Sequence, residues 1–181
     1  MQQRQAGFSL TECVVTLAVL STLAGMGISA MGEIVQGVRL QTVTGQVFHP
    51  LLLARSEAIK RNTRVALCKS ADGATCTEDG GWEQGWIVFQ DANNSGTREP
   101  QEPVLQSLQR VPADFRVRAN DPVGDYVSYG PMGGARLTSG AFQAGTFTVC
   151  RLSSGRVEGR KIIINAGGRP RVEKVWMDVC A

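Results

Sequence analysis

The stretch Gly7 to Gly32, GFSLTECVVTLAVLSTLAGMGISAMG, contains one charged residue, Glu12. The 20 residues between Glu12 and Glu33 are all uncharged. A helix of that length extends about 30 Å, which is the thickness of the hydrocarbon core of a bilayer. The sequence therefore predicts a membrane-spanning helix over residues 8–32.

A cleavable secretory signal is the alternative for this stretch, because Arg4 precedes an apolar run that contains small residues. Secretory apolar cores have about 7 to 15 residues, and an acid at their start is unusual. A carboxylate inside a membrane helix costs at least about 3 kcal/mol on insertion scales, and no basic residue lies within the span. We therefore expect the cationic partner of Glu12 to come from another chain.

The residues Gly7-Phe8-Ser9-Leu10-Thr11-Glu12 resemble the class III signal of type IV pilins and type II secretion pseudopilins. The resemblance implies that residues 1–7 are a leader peptide, that prepilin peptidase cleaves between Gly7 and Phe8, and that the new Phe8 amine is N-methylated. It also implies an assembly role for Glu12, opposite the terminal amine of a neighbouring subunit. Thr11 and Cys13 stand where aliphatic residues are commoner in that family.

The rest of the 181-residue chain has room for one domain with a hydrophobic core. The formal charge of +3 is unevenly distributed along it. Residues 70–125 hold ten acids and four arginines, whereas residues 151–174 hold seven bases and two acids. The basic excess is therefore C-terminal.

Four of the five cysteines lie beyond the predicted span, which is typical of a protein from an oxidising compartment. Three pairings are possible. We favour a disulfide between Cys68 and Cys76, across a turn-rich loop, and one between Cys150 and Cys180, which ties the C-terminus to the sheet. Zinc is the alternative, but the chain has no CxxC pair and its single histidine is His49, so we expect no metal at these thiols.

Residues 33–61 are predicted to continue the helix as an amphipathic segment that lies on a sheet. Pro50 lacks a backbone donor, and together with Gly45 it predicts a kink or local break around residues 46–50. Apolar residues recur in this segment at three- and four-residue spacing: Phe48, Leu51, Leu52, Ala58 and Ile59.

Residues 62–181 carry short apolar stretches separated by clusters of Gly, Pro, Asn and Asp, which is the pattern of strands joined by turns. The fold class is therefore α+β: a long N-terminal helix, membrane-spanning in its first half, packed on an antiparallel β-sheet. The predicted strands are 64–68, 86–90, 104–109, 115–118, 126–129, 146–151, 160–165 and 171–179.

Three further blocks resemble the FimT and H-type pseudopilin (GspH) family: LLLARSEAIKRNTRVALC at 51–68, GWEQGWIVFQDANNSG at 81–96 and NAGGRPRV at 165–172. Together with the signal, they follow one another along the whole chain. The resemblance implies a type IV pilin-like fold and a periplasmic or extracellular domain over residues 62–181. It also implies that other pilins and prepilin peptidase are partners, and that the chain resides in the bacterial inner membrane before it enters a filament.

The sequence contains no GxSxG, HExxH or other nucleophile motif, so we expect neither an enzyme nor a cofactor. Trp82 and Trp86 have the chemistry to stack on nucleic-acid bases, but the preferred interpretation places them in the core. His49, next to Pro50, is interpreted as a local structural residue.

The segment from Asp91 to Gly96, with Glu102 at the twelfth place, has the spacing of oxygen ligands in an EF-hand loop. It follows a predicted strand rather than a helix, and Pro100 and Pro103 interrupt its exit. Asp, Asn and Gly also form ordinary turns. We interpret the segment as a turn, with calcium binding as the alternative.

The strongest chemical signal lies in the last quarter of the chain, where bases flank two predicted strands joined by a glycine-rich turn. If the chain is extended there, Arg169 and Arg171 project from one face, and two adjacent guanidiniums suit successive phosphates. A solvated strand face is the alternative, and the local sequence alone does not favour either. The basic residues are Arg156, Arg160, Lys161, Arg169, Arg171 and Lys174.

The sequence Gly168-Arg169-Pro170-Arg171 has the GRxR form of FimT proteins linked to DNA capture in natural transformation. The resemblance implies a minor type IV pilin in which Arg169 and Arg171 are the principal contacts for extracellular double-stranded DNA, with the other four bases as auxiliaries. The alternative is a structural minor pilin, or an H-type pseudopilin of type II secretion, that primes filament assembly without binding DNA.

Overall fold

The computed structural model describes residues 7 and 9–180. One long helix, α1, is followed by eight strands, and all eight strands predicted from the sequence are present. The largest difference is at the start of the seventh strand, which begins at Val157 rather than at Arg160. The elements are α1 Leu10–Arg61, β1 Val65–Lys69, β2 Gly85–Gln90, β3 Val104–Gln109, β4 Phe115–Ala119, β5 Tyr126–Tyr129, β6 Gly145–Arg151, β7 Val157–Ile164 and β8 Pro170–Met177.

The chain divides into two compact units, residues 1–39 and residues 40–181. In the first unit, α1 begins at Leu10, and apolar side chains such as Val14, Leu17 and Leu20 are exposed. None of the helices among the described residues combines the length and the apolar character that crossing a membrane requires.

In the second unit, the strands form two antiparallel sheets of four strands each. The strand order is β3-β2-β1-β5 in one sheet and β4-β6-β7-β8 in the other. The predicted arrangement of a helix on antiparallel strands is therefore confirmed, with the strands divided between two sheets. β8 lies at the edge of its sheet, so the basic residues that it carries lie on an edge strand.

One core joins the second part of α1 to both sheets. The buried side of the helix repeats at three- and four-residue spacing, as an amphipathic helix requires. Its residues share a single cluster with inward-facing residues of both sheets, such as Val88, Phe147 and Ile162. The helix residues of this core cluster are Leu40, Val43, Val47, Leu51, Ala54 and Ala58.

The apolar face predicted for this segment is right for some positions and wrong for others. Leu51 and Ala58 are buried, and Phe48 packs against the core. Leu52 and Ile59 are exposed instead, because at 3.6 residues per turn each lies about 100° around the helix from a buried neighbour.

The predicted local break at residues 46–50 is absent, since α1 is helical through Pro50. Proline removes one backbone donor, but the buried residues Val47 and Leu51 on either side anchor the segment in the core. This packing keeps the chain helical. His49 is exposed, and its ring meets that of Phe48 edge-on.

Two disulfides, in the pairing favoured from the sequence, join Cys68 to Cys76 and Cys150 to Cys180. The second one fixes the chain just beyond β8 to β6. Trp82 and Trp86 are each 1% exposed and lie in the core cluster, which confirms their structural interpretation.

Candidate nucleic-acid interface

The six predicted basic residues lie on or beside the hairpin formed by β7 and β8. In the order β4-β6-β7-β8, strand β8 pairs with β7 on one side only. On its other side it pairs with no strand of the described chain. β8 is therefore an edge strand, and its residues 171–174 and 176 are exposed on both faces.

The register of β7 and β8 places one group of side chains on the face that we term the Trp176 face. Directly paired residues of an antiparallel ladder project to the same side. Arg160 pairs with Lys174, and Glu158 pairs with Trp176. The Trp176 face is defined by these four residues.

The opposite side of the hairpin is termed the Arg171 face. Lys161 pairs with Glu173, and Ile163 pairs with Arg171, and these four residues define the face. The predicted cluster of bases is therefore divided by the sheet, and Arg160 and Lys174 do not lie beside Arg171.

Arg169 belongs with the Arg171 face according to the pattern of exposure. Arg169 and Arg171 are exposed, and Pro170 between them is buried. In an extended chain this alternation places the first and third residues on one side. The guanidinium of Arg169 forms no ion pair with an acid of the described chain.

Arg171 has an acidic neighbour that holds it only weakly. Its Nη2 atom lies 3.1 Å from Oε1 of Glu173, and the two side chains are 65% and 47% exposed. Such solvent-exposed pairs contribute at most about 1 kcal/mol. Arg171 can therefore exchange Glu173 for a phosphate at low cost.

The turn before β8 is held by Asn165. Its backbone oxygen accepts a hydrogen bond from the amide of Gly168 at 2.8 Å, and its Oδ1 accepts one from the amide of Arg169 at 3.3 Å. These two bonds fix the backbone from which the Arg169 side chain starts. Asn165 was not predicted as a site residue.

Gly168 is required by both conformation and space. Its φ of +74° lies in the left-handed region. A Cβ at this position would lie 2.4 Å from the carbonyl oxygen of Gly133 and 2.8 Å from the amide nitrogen of Ala135. The turn therefore rests directly on the loop after β5, with no room for a side chain between them.

That loop is itself tied to α1. Nε of Arg55 donates a 2.8 Å hydrogen bond to the carbonyl oxygen of Gly133, the same oxygen that faces Gly168. A chain of contacts thus runs from α1 through the loop to the turn that carries Arg169. The sequence did not identify Arg55 as a supporting residue, because nothing in its local pattern indicates the partner 78 residues away.

On the Trp176 face, two of the predicted cations share one acid. Nζ of Lys174 lies 2.6 Å from Oε2 of Glu158, and Nη1 of Arg160 pairs with the other oxygen of that carboxylate. The hydrogen bond from Lys174, with a further one from Arg160, lowers the pKa of Glu158. Glu158 therefore remains ionised at neutral pH and neutralises part of this face.

Arg156 reaches the same face from the turn before β7. Its Cζ atom lies 5.7 Å from the centroid of the Trp176 ring. Trp176 was missed from the sequence, because its exposure follows from the edge position of β8 in the sheet.

The acidic segment with EF-hand-like spacing uses its oxygens internally. Asp91 is fully buried, and its two carboxylate oxygens accept hydrogen bonds from the amides of Ser95 and Gly96. Both oxygens of Glu102 likewise accept backbone amides. Burial raises the pKa of Asp91 and of Glu102. No group of three or more His, Cys, Asp or Glu side chains in the described chain is arranged to hold a metal ion.

At the N-terminus, Glu12 lies in the first turn of α1. Its Oε2 atom is 3.4 Å from the backbone nitrogen of Ser9. Phe8, the predicted methylation site, lies outside the described residues, whereas Gly7 is exposed.

Two family models match the chain. The model of the type II transport protein GspH matches residues 44–168, and that of the prokaryotic N-terminal methylation motif matches residues 2–28. These matches imply processing by a prepilin peptidase and association with other pilins. The GspH match ends one residue before Arg169. No curated protein sequence matches the chain.

Two crystal structures of the type IV minor pilin FimU from Pseudomonas aeruginosa are similar to this chain. The TM-scores are 0.56 and 0.57, with 17% sequence identity in both cases. The alignments cover 78% and 82% of this chain and 100% and 99% of the FimU chains. At that identity the likeness establishes the fold alone.

Proposed function

This chain belongs to the GspH family of type II transport proteins, and from that premise we propose that it is a minor type IV pilin that assembles into the pilus. In this proposal it also binds extracellular double-stranded DNA for uptake in natural transformation. One observation carries the DNA-binding part. Arg169 and Arg171 are exposed on either side of the buried Pro170, at a sheet edge.

The charges of the Arg171 face suit a polyanion. Lys161, Arg169 and Arg171 supply three positive charges there against the single acid Glu173. Duplex DNA carries one negative charge per about 1.7 Å of its axis, and guanidiniums bind phosphates through a planar fork of donors. Binding through phosphates is independent of base sequence and falls steeply with salt.

The N-terminal part of the chain supplies assembly in this proposal. Cleavage between Gly7 and Phe8 exposes the Phe8 amine, and Glu12 pairs with the corresponding amine of a neighbouring subunit. Before assembly the chain is held in the inner membrane through residues 8–32, with residues 62–181 in the periplasm. Several copies along a filament then engage one DNA molecule and multiply weak contacts.

One observation favours a second candidate function. The GspH match ends at residue 168, so it does not include Arg169 and Arg171. In this candidate the chain primes assembly of a pilus or of a type II secretion filament without binding DNA. The two candidates share Glu12 and the cleavage site, and the role of the hairpin distinguishes them.

A gel-shift titration of the full-length chain in detergent, with a short duplex of mixed sequence at low salt, separates the candidates. Replacing both Arg169 and Arg171 with alanine should weaken binding about tenfold or more, because two charge-assisted contacts are lost. The slope of log affinity against log salt should fall by about two. Unchanged binding in this double variant would remove the proposed site.

A control with the same loss of charge is Lys60→Ala combined with Arg110→Ala. Both side chains are exposed and lie outside the hairpin. This variant should bind the duplex within about twofold of wild type, since charges remote from a phosphate contact are screened by salt. If the wild-type chain binds no duplex even at low salt, the assembly-only candidate is selected.

A further inference from the structure

The three tryptophans of the chain occupy two different environments. Trp82 and Trp86 are each 1% exposed, whereas Trp176 is 53% exposed on the edge strand β8. Core packing accounts for the first two. It does not account for a large aromatic ring that stands half in solvent on a face of charged residues.

Cations from two different elements approach the ring of Trp176. Cζ of Arg156, from the turn before β7, lies 5.7 Å from its centroid. Nζ of Lys174, from β8 itself, lies 5.3 Å from it. Both are within the distance of about 6 Å at which a cation interacts with an aromatic ring. The ring and the two cations thus form one surface.

The net charge of this surface is positive. Arg156, Arg160 and Lys174 face one acid, Glu158, which already binds the latter two. Arg156 has no ion pair within the described chain, so its guanidinium is available to an external anion. A ligand that fits must present a flat ring to the indole and negative charge to the cations beside it.

We propose that the Trp176 face is a second nucleic-acid subsite, which takes single-stranded DNA by stacking one base on the indole of Trp176 and holding adjacent phosphates with Arg156 and Lys174. This inference rests on the proposed function, since it assumes that the hairpin meets DNA. Aromatic side chains beside a positive groove are the general means of binding single strands without sequence preference.

The proposal divides DNA recognition between the two faces of one hairpin. Inside a duplex each base is covered by its neighbours, so no base face is open to an indole. The Trp176 face therefore discriminates in favour of single strands, whereas the Arg171 face contacts only phosphates and accepts either form. The disulfide between Cys150 and Cys180 fixes the chain just after β8 and limits movement of the Trp176 face.

A protein partner is the competing occupant of this surface. An apolar interface over Trp176 would have to bury the charges of Arg156 and Lys174 as well, and burying unpaired charges is costly. A polyanion neutralises the same charges when it covers the ring. The charge pattern therefore favours nucleic acid.

Fluorescence tests the proposal directly, because Trp176 is the one exposed tryptophan of the three. We expect an oligothymidine to quench the emission of the full-length chain in detergent, and a blunt duplex of equal length to quench it much less. Trp176→Phe should remove the quenching but keep most of the affinity. Trp176→Ala should weaken oligothymidine binding about tenfold and leave duplex binding within twofold.

The matched control is Val172→Ala, because Val172 is also exposed on β8 and lies on the same side as Lys174 and Trp176. This change should alter neither binding nor quenching. If Trp176→Ala unfolds the chain, the quenching of the wild type and its loss in Trp176→Phe still test whether a base stacks on Trp176.

The outcomes separate this inference from the proposed function. Duplex binding with no quenching by oligothymidine, or with oligothymidine affinity equal in wild type and Trp176→Ala, overturns the stacking subsite alone. Binding of neither DNA form overturns both proposals. Quenching by another pilin subunit but not by oligothymidine assigns the surface to a protein interface and also overturns the subsite.

Discussion

The loop between β2 and β3 and the hairpin of β7 and β8 both concentrate charge in a turn, but they use it in opposite ways. In the acidic loop, residues 91–102, the carboxylates of Asp91 and Glu102 each accept two backbone amides. In the basic hairpin, residues 156–177, Arg169 has no acidic partner within the described chain, and Arg171 has only an exposed one.

The difference shows that the number of charges in a segment does not decide whether it binds a ligand. A carboxylate that is buried and accepts a backbone amide on each oxygen stabilises a turn, and a cation would have to compete with those hydrogen bonds. A guanidinium that keeps its donors in water can transfer them to a phosphate. These hydrogen bonds favour the interpretation of the acidic loop as a turn, and the basic hairpin is the candidate interface.

The largest effect is expected in the acidic loop, from Asp91→Ala. This change removes the acceptor of the buried Gly96 amide and one of the two acceptors of the Ser95 amide, which also donates to Oδ1 of Asn93. We expect the free energy of unfolding to fall by about 3 kcal/mol, since buried hydrogen bonds to a charged group are costly to remove. Urea denaturation followed by circular dichroism measures the loss.

The matched control for this change is Asp79→Ala, which removes an exposed aspartate whose carboxylate holds no amide of the described chain. Its effect on stability should be within about 0.5 kcal/mol, as for most surface substitutions. Equal losses in the two variants would contradict the structural role assigned to Asp91.

The next effect concerns the backbone of the hairpin, through Gly168→Ala. A Cβ there would meet the backbone of Gly133 and Ala135 at 2.4 and 2.8 Å. Gly155→Ala is the matched control, because Gly155 also has a positive φ, +94°, but has open space around the position of its Cβ. Conformational strain is common to both changes and costs about 1 kcal/mol.

We expect Gly168→Ala to destabilise the chain by about 2 kcal/mol more than Gly155→Ala, because only the former must displace backbone atoms. Thermal unfolding of the two variants side by side measures this difference. Duplex affinity should fall only in Gly168→Ala, since Arg169 follows the displaced turn. Equal melting temperatures would show that the loop after β5 moves aside with no loss of stability and therefore does not position the turn.

The strand pattern was readable from the sequence, because apolar stretches end at Gly, Pro and Asn clusters whose backbone preferences are local. The pairing of β5 with β1, which closes one sheet, and of β4 with β6 in the other depends on contacts between distant segments. Local sequence does not contain that information. The helix stripe was only partly identified, since Leu52 and Ile59 fit the apolar spacing but lie to the side of the buried line.

The candidate interface was predictable as a set of bases but not as a surface. The glycine-rich turn and the arginines around Pro170 are visible in the sequence. The division of the bases between two faces depends on the register of β7 and β8, in which Arg160 pairs with Lys174 and Lys161 with Glu173. The exposure of Trp176 depends on β8 being an edge, which only the strand order reveals.

The smallest expected effect is that of Glu173→Gln, which tests whether Glu173 competes with phosphates for Arg171. Glu173 holds Arg171 at 3.1 Å and places a negative charge beside the proposed phosphate contacts. Removing that charge should raise duplex affinity about two- to threefold at low salt, because the interaction of exposed charges is weak and screened.

Glu78→Gln makes the same change in net charge at another exposed position, outside the hairpin, and should raise affinity less. A gel-shift titration of both variants at two salt concentrations compares them. Equal gains would mean that DNA responds to the overall charge of the protein rather than to the Arg171 face. A loss of affinity in Glu173→Gln would mean that Glu173 orients Arg171 toward the phosphate, so that the ion pair is part of the interface instead of a competitor for it.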